Sequence, residues 1–204
     1  MAVILNASTS SGFVQSADTS GVVQIQSNGS TVLTVASTGV TATNIQGTIV
    51  QGTAVATTSG TAFDFTGIPS WAKRITVMFS GVSLSGTEAI CIQLGDSGGI
   101  ETTGYLSAAS DNGTFVGTST TSLLCMPGGG AISASSLTNG TCVISNFNGN
   151  TWVSSAVTAG TTGVYAANAT GSKTLSDVLT QIRVTRTGTT NTFDAGTINI
   201  QYEG

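Results

Sequence analysis

Residues 74–79 read Arg-Ile-Thr-Val-Met-Phe, and every second side chain, from Ile75 to Phe79, is strongly apolar. Successive side chains of a β-strand point to opposite faces, so this period of two predicts a strand with one buried face. The stretches 90–94 and 198–202 repeat the pattern with Ile, Leu and Tyr at alternate positions. The alternation therefore predicts short strands that pair into an antiparallel sheet.

Short stretches rich in apolar residues recur over most of the chain after residue 50. Ser, Thr and Gly separate these stretches about every eight to twelve residues, which is typical of many strands joined by turns. Nothing has the period of a long helix, and the best helical segments, at 69–72 and 176–179, are single turns. Residues 51–204 are thus expected to form an antiparallel, jelly-roll-type β-sandwich within an all-β protein. Further strands are expected at 103–109, 120–125, 141–147, 151–157, 163–168 and 180–187.

The N-terminal part, residues 1–50, contains a hairpin signal. The apolar runs 22–26 and 31–35 flank Ser-Asn-Gly-Ser. A three-residue loop at 27–29 brings four apolar side chains to one face, and a lone ribbon is marginal in water, so copies of this face should pack around a symmetry axis. We expect residues 1–50 to serve as an attachment and trimerisation segment whose interface is formed by Val23, Ile25, Leu33 and Val35.

Charge is scarce throughout the sequence. Only 7% of residues are charged, whereas 39% are hydrophobic, against about 25% charged residues in an average soluble domain. A surface of this kind favours burial between subunits, so a homo-oligomer is expected. The net charge is −4 and no basic patch exists, which argues against nucleic acid as a partner. The cations are Lys73, Arg74, Lys173, Arg183 and Arg186.

No run approaches the roughly 18 apolar residues of a membrane helix, so no membrane insertion is expected. The apolar start, residues 1–5, lacks the positive charge of a signal peptide, and synthesis in the cytoplasm is expected.

Catalytic chemistry has little support in the sequence. Histidine is absent, which removes the most frequent general base and zinc ligand. The Asp and Glu residues are isolated in turn-like segments, as in the Asp-Ser-Gly-Gly stretch at 96–99. We therefore predict no enzyme, no catalytic residue, no metal and no cofactor. Three distant cysteines indicate buried thiols, with a bridge between the last two left open: Cys91, Cys125 and Cys142.

Aromatic side chains suggest a second kind of site. An exposed ring can stack on a sugar, although packing in a sandwich core accounts for an aromatic residue equally well. The candidate ligand contacts are Tyr105, Trp152 and Tyr165.

Two long stretches resemble known proteins. The run 21–40, Gly-Val-Val-Gln-Ile-Gln-Ser-Asn-Gly-Ser-Thr-Val-Leu-Thr-Val-Ala-Ser-Thr-Gly-Val, resembles repetitive segments of bacteriophage tail-fibre and related virion proteins. Residues 63–79 resemble the opening of a β-sandwich domain at the ends of such fibres. The resemblance implies a homotrimer on the virion surface, made in the bacterial host cytoplasm. It also implies an N-terminal part that docks on other virion proteins and a sandwich that contacts a host surface glycan.

Four functional hypotheses remain at this point. At 204 residues the chain is short for a long fibre, so a short tail fibre or spike is the leading hypothesis. A capsid decoration protein, of the cement or head-fibre kind, is the closest alternative. A carbohydrate-binding module and a polysaccharide depolymerase follow.

Overall fold

The structure is a computed structural model, which describes residues 22–36, 39–42, 49–111, 115–128, 133–160 and 165–204. All regular elements in these ranges are β-strands, and the single turns expected at 69–72 and 176–179 are not helical. The expected all-β class with antiparallel sheets is confirmed. The chain divides into two compact units, Met1–Gln46 and Gly47–Gly204.

The first unit contains a three-stranded sheet built on the predicted hairpin. Its strands are β1 (Val23–Ser27), β2 (Ser30–Ala36) and β3 (Gly39–Ala42), in that order. The turn has two residues, Asn28 and Gly29, both with positive φ, so the expected three-residue loop is wrong. A bulge after Ile25 shifts the register by one residue and still pairs Ile25 with Leu33. The four predicted apolar residues therefore share one face.

The second unit is a two-sheet sandwich. Its strands are β4 (Ile49–Gln51), β5 (Val55–Ala56), β6 (Ala62–Thr66), β7 (Arg74–Leu84), β8 (Ile90–Asp96), β9 (Gly99–Ile100), β10 (Tyr105–Asp111), β11 (Phe115–Ser119), β12 (Leu123–Leu124), β13 (Thr138–Asn148), β14 (Thr151–Gly160), β15 (Tyr165–Thr174), β16 (Gln181–Arg186) and β17 (Phe193–Glu203).

The strands form a large and a small sheet. The large sheet has the order β11-β10-β15-β14-β13-β7-β17-β4, with β5 also paired to β17. The small sheet has the order β12-β8-β16-β6, with β9 paired to β8. Residues 49 and 50, which the sequence reading placed in the N-terminal segment, pair with β17 and so belong to the sandwich.

The core lies between the sheets and follows the predicted alternation. Ile75 and Val77 of β7 are fully buried, as are Ile92 of β8 and Ile182 of β16. Each of these positions is flanked along its strand by more exposed residues, except in β8, where neighbours on both sides are buried. This packing removes apolar area from water and is the main stabilising term of the sandwich.

Candidate interaction surfaces

The three aromatic residues considered as ligand contacts lie in the core. Tyr105, Trp152 and Tyr165 are 1%, 4% and 3% exposed. A ring in such a position has no open face for a sugar, and packing accounts for all three residues. Trp152 still borders a small cavity of about 90 Å³ at one end of the sandwich, together with Lys73 and Asn146.

Tyr105 anchors a polar network inside the sandwich. Its hydroxyl accepts a hydrogen bond from the Leu94 backbone N–H at 2.7 Å and donates to the Glu101 carbonyl at 2.9 Å. The Nζ of Lys173 lies 5.3 Å from the centre of the ring and forms an ion pair with the Glu101 carboxylate. Burial opposes ionisation of Glu101, but Lys173 and Ser176 outweigh it and lower the pKa of this carboxyl.

The sequence reading missed Lys173 as a buried cation. Its side chain is only 5% exposed. Every second residue of β15, counted from Tyr165, points into the sandwich, and Lys173 falls on one of these inward positions. The alternation from Tyr165 through Ala167 and Ala169 to Lys173 was the available signal. A buried ammonium group requires a partner, and Glu101 supplies it.

The Asp96 segment forms a turn, as the sequence predicts. Asp96 accepts a hydrogen bond from the Gly98 N–H at 2.8 Å and from the Ser176 hydroxyl at 2.6 Å. The Ser176 hydroxyl is the main cause of a lowered pKa for this carboxyl. Within the described residues, no group of three or more His, Cys, Asp or Glu side chains is arranged to hold a metal ion.

The cysteines are free and buried, as the sequence reading favoured. The neighbouring Cys142 thiol, together with burial, raises the pKa of Cys125. No bridge forms between Cys125 and Cys142. Burial raises the pKa of Cys91 to about 12. A thiol held in its protonated form is a weak nucleophile.

The predicted interface residues of the first unit lie side by side. Val23 pairs with Val35, and Ile25 pairs with Leu33. Ile25 is 52% exposed and Val35 is 41% exposed, whereas Val23 and Leu33 are half-buried. The hairpin thus presents a partly exposed apolar face, and its use as a subunit interface stays a prediction.

A second surface, absent from the sequence reading, lies on the outside of the large sheet. Leu106, Val116 and Val157 point outward from β10, β11 and β14 and are 72%, 68% and 65% exposed. The signal was present in the chain, because residues 112–172 contain no Asp, Glu, Lys or Arg. We call this surface, formed by the outward residues of β10, β11, β13, β14 and β15, the uncharged face.

Comparisons of the chain with models of protein families, with curated proteins and with solved structures find no match. The resemblance to tail-fibre proteins therefore stays a prediction. Among the described residues, no helix has the length and apolar character needed to cross a membrane.

Proposed function

We propose that this chain is a non-enzymatic structural protein of a bacteriophage virion, of the short tail-fibre or spike type. In this proposal the chain is a homotrimer on the virion surface, made in the host cytoplasm. The first unit docks on other virion proteins and holds the trimer together. The sandwich is directed toward the host surface, where a glycan is the proposed contact.

The observation that carries the proposal is the partly exposed apolar face of the three-stranded sheet. Ile25 and Val35 are 52% and 41% exposed, and the face lies in a stretch, residues 19–63, that has no charged residue. Complete burial of one such side chain contributes about 1.5–3 kcal/mol relative to full exposure. Ile25 and Val35 are already about half-buried in one copy, so packing three copies of the face around an axis recovers about half of this energy for each of them.

The strand pairing of the sandwich supports a jelly-roll-type fold. A jelly roll arises when a long antiparallel pair folds over, so that early strands pair with late strands in alternate sheets. Here β7 pairs with β17 in the large sheet and β8 pairs with β16 in the small sheet. The next nested pair, β10 with β15, lies again in the large sheet.

The test is the solution mass of the full chain, measured by light scattering. The double variant Ile25→Asp, Leu33→Asp places charges on the hairpin face, and the matched control Gln24→Asp places one on the exposed opposite face. We expect a trimer for the wild type and for the control, and a smaller species for the double variant. A wild-type chain that is monomeric at every concentration overturns the proposal.

The position in the particle is tested by stoichiometry. Quantitative mass spectrometry of purified virions measures copies of the chain per particle. Small multiples of a tail ring symmetry support the tail-fibre assignment. Numbers tied to the capsid lattice overturn it in favour of a decoration protein, and absence from the virions overturns the virion assignment.

A further inference from the structure

We propose that the uncharged face of the large sheet is a second self-association surface, covered by another copy of this chain. This inference rests on the proposed function only in that the chain works as a homo-oligomer. It assigns a specific surface of the sandwich to contact between copies, in addition to the hairpin face of the first unit.

The outward positions of the strands define the chemistry of the face. Along β14 the exposed residues alternate with buried ones, and the exposed set includes Val153 and Val157. In β15 the outward residues include Asn168 and Thr170, which pair with Val157 and with Ser155 of β14. Every outward side chain of β14 and β15 is aliphatic, hydroxyl or amide. Covering these strands therefore buries no charge and avoids the largest desolvation cost.

The outer face of the small sheet has a different composition. There Arg183 of β16 and Asp64 of β6 form a bidentate ion pair, with N–O distances of 2.7 and 2.8 Å. Both side chains are more than a third exposed. On the large sheet, the exposed pair Arg74 and Glu203 lies on β7 and β17, beyond β13. A chain with few charges therefore places them outside the uncharged face, as expected if solvent reaches one face of the sandwich and a partner covers the other.

The dimensions of the face suit a stable protein interface. Five adjacent strands spaced about 4.8 Å apart, and up to about 30 Å long, present about 700 Å². A standard interface buries about 800 Å² per partner. Two adjoining open depressions, of about 560 and 380 Å³, share Ala108 and Thr170 in their walls. The protruding Leu106 and Val116 border them, so the face carries both the projections and the hollows that interlock.

The chemistry of the face favours a second copy over other occupants. A nucleic acid or an anionic membrane requires cations, and the face has none. A charged protein partner finds no opposite charge to set its orientation. Another copy presents a surface equally free of charge, and its hydroxyl and amide groups can satisfy those of the first copy by hydrogen bonding across the contact.

The test uses thiol labelling, because the native cysteines are buried and free. Val157→Cys places a reactive thiol at the centre of the uncharged face. Thr66→Cys is the control, on an exposed position of the edge strand β6 of the small sheet. The full chain is labelled with a maleimide under reducing conditions, above and below the concentration at which light scattering shows dissociation.

We expect Val157→Cys to react at least about tenfold more slowly in the oligomer than in the dissociated chain. In the oligomer only about one copy in ten, or fewer, has its uncharged face open to the reagent. Dilution should restore the rate, and Thr66→Cys should react at one rate throughout. Equal rates for the two variants in a chain shown to be oligomeric overturn this inference and leave the hairpin proposal intact. A chain that is monomeric at every concentration overturns both.

Discussion

The hydroxyl of Tyr105 offers a sharp test of the sandwich core. The substitution Tyr105→Phe removes one oxygen and keeps the ring, which is 1% exposed and lies 5.3 Å from Lys173. In the wild type this hydroxyl accepts a hydrogen bond from the Leu94 N–H at 2.7 Å and donates one to the Glu101 carbonyl at 2.9 Å. The variant therefore leaves a buried backbone donor without its partner.

The magnitude follows from the burial of that donor. An unsatisfied buried donor costs about 1–3 kcal/mol, and the Glu101 carbonyl, in a residue that is only partly buried, adds less. We expect a loss of about 2 kcal/mol in the free energy of unfolding. For a chain of this size such a loss lowers Tm by about 4–8 °C.

The assay is thermal unfolding followed by circular dichroism, with Tyr202→Phe as the control. Tyr202 is half-buried against Trp71 at the end of the sandwich, so its variant should stay within about 0.5 kcal/mol of the wild type. An unchanged Tm for Tyr105→Phe would refute the reasoning, because it would mean that the ring is not held in the core by this network. It would also reopen Tyr105 as a surface residue.

Three further predictions concern the backbone, the carboxyls and the thiols. Gly140→Ala, at φ +135° and with a new Cβ against the Val157 carbonyl, should cost more than about 2 kcal/mol in urea unfolding. Gly117→Ala, whose nearest neighbour would lie 3.6 Å away, should be nearly neutral. The pKa values of Asp64 and Glu101 are lowered in the folded state. The stability that these two carboxylates contribute should therefore be fully present above their ordinary pKa values of 3.8 and 4.5, and it should be lost as the pH falls through the lower folded-state values. Unfolding scans between neutral and acid pH measure this, and a flat profile would contradict it. Finally, Ellman's reagent should find no reactive thiol in the native chain and three after denaturation, whereas fewer than three after denaturation would indicate a bridge.

Most of the strands were predictable because the alternation is local. Along β7 the apolar residues fall on one side, so burial of Ile75 and Val77 follows directly from the order of the residues. The hairpin face was predicted for a similar reason, although its turn was not. A two-residue turn with a bulge and a three-residue loop bring the same four side chains together, and the sequence does not distinguish the two routes.

The candidate sites were less predictable, because exposure is decided by distant parts of the chain. An isolated Tyr or Trp in a strand has the same local pattern whether its face meets solvent or the other sheet. Tyr105 can be buried because the Leu94 N–H of β8 donates a hydrogen bond to its hydroxyl. Lys173 is buried because Glu101, in the segment before β10, reaches it. Leu94 and Tyr105 lie on different strands, and Glu101 is far from Lys173 in the sequence.

The sequence by itself determined that the chain is all-β, poor in charge and without histidine, because composition and a period of two are properties of the residue order. Only the tertiary structure decided which side of β14 faces the core. Both sides of that strand carry apolar and hydroxyl residues, with Trp152 and Thr158 on one and Val153 and Val157 on the other. The side with Trp152 is buried, and the Thr158 hydroxyl on it donates to the Cys125 carbonyl at 2.9 Å. The two valines are left on the outside, where no residue of the described sandwich covers Val157 fully and where the proposed contact between copies lies.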